Sequence, residues 1–451
     1  MQEPAFRICG EAVLLWEYVF RKDIVYEKDF IPFYSAFSAM HSVMQKFFMP
    51  VNDEKGEGYA IPERIPKVKE KTDSLHYADG NSFSIDMIEI LNPDSIILGE
   101  NVEDVTKIAE VPPFRMAKFE LSYNIWYKVY SWATSEERGE KVYAFENPGS
   151  EGAYSSGGDK NPLYFFNEGG SPKTEGMPVN GVSWRDAVVW CNALNEMLGL
   201  EPVYCADEQY QVPLRNAVYE TGAEVSGCPL AYSEKAREVD MTSLAKGNID
   251  NPYVNKNSRG YRLPYDYEWE YAARKCSDGS FIPGTNAPGD KYGPSKTRSS
   301  KPTVIEQIKG ITEVKQPSKE INAFGWGFNK RKGGTKFDSD AYAASNSAGP
   351  EKTAAGWNDS SAPDGMTGYV YRMHRQGGKQ PTELGFYDLA GNAYEWVFDY
   401  GASYDWKYDV YTNRTLRGHT FQWDVSYFES AYRYIAPPYV KLGGLRLAQN
   451  L

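Results

Sequence analysis

The motifs Arg417-Gly418-His419-Thr420-Phe421 and Gly444-Leu445-Arg446-Leu447-Ala448 enclose an aromatic-rich stretch near the end of the chain. The large aromatic residues between them are Trp423, Tyr427, Phe428, Tyr432, Tyr434 and Tyr439. Pro437-Pro438 interrupts the stretch, so it cannot form one helix. A motif this close to a chain end has to be tied into the fold, because free ends fray. We therefore predict that Arg417–Phe421 and Leu445–Ala448 are buried strands that present the aromatic stretch on a surface.

The composition excludes several classes of function. The 451 residues carry a net charge of -12 and show no basic stripe, so we expect no nucleic-acid partner. No apolar run reaches the roughly 18 residues that a membrane-spanning helix needs. Residues 1–10 contain no recognisable signal peptide, which leaves open both a cytoplasmic location and a leader that has been removed. Aromatic residues make up 15% of the chain beside 40 glycines, which favours a loop-rich fold or an adaptable binding surface.

The five cysteines are widely spaced and form no CxxC motif, so we expect no zinc site. Cys205 and Cys228 are close enough in sequence to pair across one loop. The odd count does not indicate a disulfide scaffold, and the redox compartment stays undecided.

The chain divides into two parts by its patterns. Residues 1–80 are predicted to form an N-terminal extension that is helical over 11–48 and a linker over 50–72. The remainder, 81–451, is predicted to be one domain, with helices at 124–132, 183–198 and 265–275. Ser183 at an N-cap and Gly199 after the last turn mark the ends of the second helix. The polar, Gly-rich residues from about 277 to 350 are predicted to be a surface insertion.

Four segments together resemble the formylglycine-generating enzyme, or sulfatase-modifying factor, family. They are Pro178–Trp184, Tyr261–Arg274, Gly385–Trp396 and the closing Gly444–Ala448, and the resemblance covers roughly residues 90–451. It implies an α+β, C-type-lectin-like fold with little regular secondary structure and long loops.

At two positions the chain departs from the family's pattern, and this departure implies that the family's oxidase chemistry is absent. In that family a cysteine pair near the C-terminus binds copper, and the matching positions here are Ala431 and Ala436. Alanine cannot supply a thiolate, so we predict no enzyme of this kind and no copper. The four histidines form no His-xxx-His pair, so we also expect no iron site.

A structural calcium ion is implied by the Gly-Asn-x-x-Glu-Trp loop. Transferred from the family, Asp388 and Glu395 would supply carboxylate oxygens, and Gly391 and Ala393 would supply carbonyl oxygens, which are ligands that calcium prefers. The alternative is that Asp388 caps a turn and Glu395 pairs with an arginine. Glu268 and Glu270, which flank Trp269 on one predicted helix, point to different faces and favour capping or solvated roles over paired acid–base catalysis.

The closing region, about 417–448, resembles the variable region of proteins diversified by retroelements, which use the same lectin-like fold. The matching fixed positions are Arg417, Gly418, Ala431, Arg433, Gly444, Arg446, Leu447 and Ala448. The candidate variable, ligand-binding positions are Gln422, Trp423, Asp424, Ser426, Tyr427, Phe428, Tyr432, Tyr434, Ile435 and Tyr439. His419 and Leu445 depart from the glycine and phenylalanine usual in such regions.

Three functions follow from these patterns. The first is a non-enzymatic protein that binds a protein or cell-surface ligand through a diversified aromatic patch, and the resemblance then implies a cell-surface or secreted location. The second is a catalytically inactive family member with a structural or partner role. The third is an enzyme of other chemistry, which would need an ordered acid–base pair beside the closing region.

Overall fold

The structure is a computed structural model that describes eleven stretches of the chain. These are 64–76, 82–99, 107–155, 164–218, 246–293, 295–298, 313–316, 321–327, 371–401, 413–423 and 428–451. They belong to one compact unit, Pro62–Leu451. The predicted helix at 11–48 and residues 328–350 of the predicted insertion lie outside the described residues.

Short strands, loops and a few helices make up this unit, in agreement with the predicted α+β class. The α-helices described are α1 Tyr123–Ala133, α2 Trp184–Met197, α3 Asp266–Arg274 and α4 Ile321–Phe324, and a 3-10 helix spans Glu136–Lys141. The strands are β1 Val68–His76, β2 Ser82–Ile90, β3 Ile96–Leu98, β4 Lys107–Ala109, β5 Phe114–Ala117, β6 Ser150–Glu151, β7 Ala153–Ser155, β8 Tyr164–Phe165, β9 Val179–Asn180, β10 Tyr204–Cys205, β11 Tyr253–Val254, β12 Ser295–Arg298, β13 Glu313–Gln316, β14 Tyr371–Arg372, β15 Glu395–Tyr400, β16 Arg414–Arg417, β17 Tyr434–Ala436, β18 Gly444–Leu445 and β19 Ala448–Asn450.

An antiparallel sheet of order β1-β2-β5-β19 joins the two ends of the unit. The last strand pairs with β5, so that Ala448 faces Met116, and this pairing ties down the C-terminal motif as predicted. Strand β1 pairs with β2 along its whole length. The predicted domain boundary near residue 80 therefore falls between two strands that pair with each other, and β1 belongs to the same sheet as β2.

A second sheet, of order β17-β16-β15-β18, carries the closing motifs. Strand β16 ends at Arg417, because Gly418 and His419 adopt positive φ angles of 88° and 65° that no strand continues through. The strand predicted for Arg417–Phe421 is thus wrong, although these residues are buried. The chain leaves the sheet at Gly418 and returns to it in β17, which pairs Ile435 with Thr415.

Helix α2 lies in the centre of the main core. Ser183 accepts a hydrogen bond from the Asp186 backbone and Asp186 returns one, forming the capping box that fixes its first turn. Its Trp190 ring stacks on Trp126 of α1 at 5.4 Å between centroids. The predicted helices at 124–132, 183–198 and 265–275 are confirmed to within two residues at each end.

The first part of the predicted insertion belongs to the core. Ile282 is buried, and its backbone N–H donates to the carbonyl oxygen of Arg274 at the end of α3. Asn286 and Ala287 are also buried, and Trp326 further along the chain is 2% exposed. The polar composition was misleading here, because a few anchoring side chains are enough to bury a loop that is polar on average.

Candidate functional site

Two arginines of the closing region are buried against helix α3. Arg417 and Arg433 donate to the same Glu270 oxygen, at 2.6 and 2.7 Å. The Nε of Arg433 also donates to Asp266 at 2.8 Å, while Arg417 forms with Asp266 an ion pair at 3.1 Å whose geometry falls short of a hydrogen bond. The other Glu270 oxygen accepts from Arg274 at 2.7 Å. Glu270 therefore joins the start and the middle of the closing region to the scaffold.

The charges in this cluster affect one another. Burial lowers the pKa of Arg417, and the neighbouring guanidinium of Arg433 adds to this effect. Burial also opposes the charged form of Arg433, but Asp266 and Glu270 outweigh it and raise the pKa of Arg433. Both guanidinium groups stay charged at neutral pH, because arginine loses its proton only at far higher pH.

Arg446 of the second motif is buried on Glu395. Its NH2 and Nε atoms donate to the two Glu395 oxygens at 2.7 and 3.0 Å, in the two-pronged arrangement that suits a carboxylate. The indole Nε1 of Trp269 donates to Glu395 as well, at 2.8 Å. Arg446 also donates to the carbonyl oxygens of Ala117 and Tyr387, which fixes the motif between the end of β5 and the loop before β15.

The predicted calcium ligands do not fit a calcium ion in this arrangement. Both oxygens of Glu395 are taken by Arg446, which places a fixed positive charge where the cation would lie. The two oxygens of Asp388 accept from Trp326 Nε1 at 2.9 Å and from the Gly377 backbone at 2.6 Å. No group of three or more His, Cys, Asp or Glu side chains in the described part of the chain is arranged to hold a metal. The geometry thus favours the alternative, in which Glu395 pairs with an arginine.

Glu120 is a third carboxyl group beside this pair. Its oxygens accept from the Asn392 side chain at 2.6 Å and from the Ala393 backbone at 3.0 Å. Burial, and then the charges of Asp388 and Glu395, raise the pKa of Glu120 well above its usual range. Sequence reasoning missed Glu120, because no motif connects it to a loop more than 260 residues away.

The aromatic side chains of the closing region gather around His419, which is 2% exposed. Its ring stacks on Tyr432 at 4.2 Å and on Phe428 at 5.5 Å, and Trp423 packs at 5.5 Å. Phe428 is also 2% exposed, so it belongs to the interior and not to the predicted ligand-binding surface. The large ring is buried there because Ala287, Ala390 and Trp423 enclose it.

The remaining candidates divide into three groups. Gln422, Trp423, Tyr432, Tyr434 and Ile435 are half-buried, and we call these five residues the closing patch. Within it, Tyr434 stacks on Tyr394 at 5.1 Å, and Tyr394 in turn packs against His419. Tyr439 is half-buried as well, but it lies beside Arg185, 5.7 Å from ring centroid to guanidinium. Asp424, Ser426 and Tyr427 lie outside the described residues.

The positions of the expected cysteine pair are buried methyl groups. Ala431 is 2% exposed and Ala436 is 5% exposed. The described cysteines, Cys191, Cys205 and Cys276, are buried and unpaired. Burial raises the pKa of each of their thiols, for Cys205 to about 12, so that all three stay protonated and unreactive at neutral pH.

A sequence model of the sulfatase-modifying factor enzyme 1-like domain matches residues 95–451 of the chain. The chain belongs to this family. The match confirms the predicted family and, with it, the predicted fold class. In the described part of this family member, no helix is both long and apolar enough to cross a membrane.

Several known proteins are similar to this member of the sulfatase-modifying factor family. Chaperone protein LppX of Paenibacillus barcinonensis is 31% identical over 101 residues, which cover 22% of this chain and only 27% of that protein. Treponema denticola variable protein 1 is 19% identical with a TM-score of 0.45, over 84% of this chain and 99% of that one. CarF is 19% identical with a TM-score of 0.44, over 81% and 98%. PvdO from Pseudomonas aeruginosa is 15% identical with a TM-score of 0.38, over 81% and 95%.

Proposed function

We propose that this protein is a non-enzymatic binding protein that contacts a protein or cell-surface ligand through the closing patch. The observation that carries the proposal is that the anchoring residues and the half-buried patch residues of one short region are different residues. Arg417, Arg433 and Arg446 are each bound to a carboxylate of the scaffold. The patch residues between the first two and just after the second are half-buried and take part in none of these ion pairs.

This division separates folding from recognition. Removing one partner of a buried ion pair lowers the free energy of unfolding by about 3–5 kcal/mol, whereas most substitutions at partly exposed positions lower it far less. The patch residues can therefore change while the anchors keep the backbone in place. Tyrosine and tryptophan suit such a patch, because they bring large contact area with few rotatable bonds.

The family's former chemistry has no counterpart in the described residues. Ala431 and Ala436 replace the two cysteines, and the described thiols are protonated. The neighbouring carboxyl groups of Asp266 and Asp399 also have structural tasks. Asp266 is held by Arg433, and Asp399 accepts from the Asp266 backbone at 2.6 Å, capping helix α3. These assignments support binding over an enzyme of other chemistry.

A paired-library experiment tests the proposal. One library diversifies the five closing-patch residues, and a matched library diversifies Arg417, Arg433, Arg446, Glu270 and Glu395. Both are displayed on yeast, and the folded fraction is measured by protease resistance before panning on a purified test protein such as lysozyme. We expect the patch library to stay folded and to yield binders, and the anchor library to be degraded. Equal protease resistance in the two libraries would contradict the proposal.

The gene locus supplies an independent test of how the patch arose. If the closing region is diversified by a retroelement, a near-copy of its coding sequence lies beside a reverse transcriptase gene and differs from it at adenines. A locus without this copy would instead favour an inactive family member with a fixed partner. A protein with a changing ligand would have to meet its targets outside the cell, so we propose a cell-surface or secreted location.

A further inference from the structure

A polar cleft opens away from the closing patch, beyond the C-terminal end of helix α2. Its volume is about 710 Å³, within the range of roughly 300–1,000 Å³ of small-molecule sites. The end of α2 with the residues after it, residues 209–215, Asn255 and Asn257 line it, together with Tyr143. Amide and carboxyl side chains lie there beside apolar and aromatic ones, so a fitting ligand would offer both polar groups and an apolar face.

The base of the cleft is held by paired charges. Glu196 accepts from Arg138 at 2.9 Å, from the Tyr143 hydroxyl at 2.8 Å and from Arg215. Arg138 and Arg215 also donate to the carbonyl oxygen of Lys141, and Arg215 lies over the Tyr143 ring at 4.7 Å. The cations of the cleft are thus already bound by the protein, which gives no preference for an anionic ligand.

One side of the cleft is fixed by a buried amide. The Asn192 nitrogen donates to the carbonyl oxygens of Tyr204 and Leu214 at 2.6 and 3.0 Å. The Asn192 oxygen accepts from the backbone of Val203 and Tyr204. These bonds join helix α2 to both ends of the loop 207–213, so the cleft keeps its shape without a ligand.

Tyr210 projects from that loop in a backbone conformation that tyrosine rarely adopts. Its φ angle is +59°, a left-handed value that is unusual for a bulky residue. Asp207 holds the turn by accepting from the backbone of Gln211 at 3.0 Å and of Val212 at 2.7 Å. Such strained positions are concentrated at binding and active sites, where the conformation places a side chain. Here it places a half-buried aromatic ring at the residue between two exposed glutamines, Gln209 and Gln211, of which Gln211 donates through Nε2 to the carbonyl oxygen of Gln209 at 3.1 Å.

We propose that this cleft binds a neutral, hydroxyl-rich ligand, of which one or a few sugar residues are the fitting class. An aromatic ring offers its face to the C–H side of a sugar ring, and planar amides on either side can donate to and accept from neighbouring hydroxyls. Exposed Asn257 adds a further amide, and the exposed carboxylate of Glu201 adds an acceptor. The site is independent of the proposed closing-patch function.

The test uses the full chain on an array of chemically defined glycans, followed by titration calorimetry with the best-retained neutral glycan. Tyr210→Gly removes the ring and also relieves the positive φ angle, so this variant is not expected to lose thermal stability. We expect Tyr210→Gly to weaken glycan binding at least tenfold. The control Tyr292→Ala, at a ring that is 76% exposed elsewhere on the surface, should bind like the unchanged protein.

Two results would overturn this assignment. The first is that the unchanged protein retains no neutral glycan more strongly than the Tyr210→Gly variant does. The second is loss of glycan binding in Tyr432→Ala with retention in Tyr210→Gly, which would place the glycan on the closing patch instead. The second result would leave the proposed binding function standing, so the two proposals can fail separately.

Discussion

Replacement of Glu270 by glutamine should destabilise the protein more than any other single change of charge near the closing region. Glu270 is fully buried, and its two oxygens accept from three arginines and from the Gly99 backbone. A glutamine keeps one acceptor oxygen and turns an NH2 group toward donors on the other side. Removing one partner from a buried ion pair costs about 3–5 kcal/mol, because the remaining charges stay desolvated.

Urea unfolding followed by tryptophan fluorescence measures this cost. The free energy of unfolding should fall by ~3 kcal/mol per molar urea. The urea midpoint of Glu270→Gln should then lie roughly 1 M or more below that of the unchanged protein. The matched control is Glu383→Gln, whose carboxylate pairs with Lys291 at the surface, with 33% and 44% of the two side chains exposed. Because exposed pairs contribute at most about 1 kcal/mol, the control midpoint should hardly move.

A second substitution tests the cause of the loss. Arg433→Met removes one of the guanidinium groups that lose the Glu270 charge in Glu270→Gln, a group that then keeps only Asp266 as its counter-charge. We expect Arg433→Met to cost less in the Glu270→Gln background than alone, with a coupling of at least about 1 kcal/mol. If Glu270→Gln lies within about 1 kcal/mol of the unchanged protein, or if the two substitutions are additive, the anchoring role given to Glu270 is refuted.

Three further predictions concern the loop before β15. Because Arg446 occupies both Glu395 oxygens, calcium or a chelator should shift the melting temperature by less than about 1 °C; a rise with calcium that saturates would show that the ion displaces the arginine. The raised pKa of Glu120 means that the folded state holds its proton more tightly than the unfolded state, so stability falls as pH rises from the unfolded value of about 4.5 toward the folded pKa. Glu120→Gln should flatten this part of the stability curve, at pH values above the unfolded pKa, and an unchanged slope would contradict the assignment. Gly391→Ala should cost clearly more than Gly199→Ala, since both glycines have positive φ angles but only at Gly391 would the new methyl group meet a backbone oxygen, at 2.0 Å. Equal urea midpoints for these two variants would show that the loop relaxes.

The helices were predictable because their signals are local. Ser183 and Asp186 form their capping box within one turn, and Gly199 follows the helix with a φ angle of 68°. The end of strand β16 was not predictable to the residue, since the pattern continues through Arg417 while Gly418 and His419 turn the chain away. Nothing in their composition distinguishes a glycine that bends the chain from one that lies in a strand.

The candidate site was predictable by region and not by contact. The closing region was identified correctly as the part that the fold fixes at both ends. Its anchor on helix α3 was not, because Glu270 lies about 150 residues away from Arg417 in the chain and was assigned a capping or solvated role. The sequence gives one local sign that Glu270 is buried. It lies next to Trp269, in a helix whose basic residue stands only in the last turn. Phe428 shows the same limit, because the sequence alone does not distinguish a phenylalanine on the surface from one in the core.

The convergence of Arg417 and Arg433 on one carboxylate explains how the chain between them keeps one backbone path. The two arginines close the chain between them into a loop whose ends are fixed by contacts to Glu270 and Asp266. The cost of ordering a loop is set mainly by bringing its ends together and grows only slowly with its length. With that cost met by the buried ion pairs, the side chains along the loop need not contribute to closure. The buried ring of His419 then packs against the half-buried rings of Trp423 and Tyr432, so that these two residues of the closing patch rest on a fixed base while part of each remains exposed.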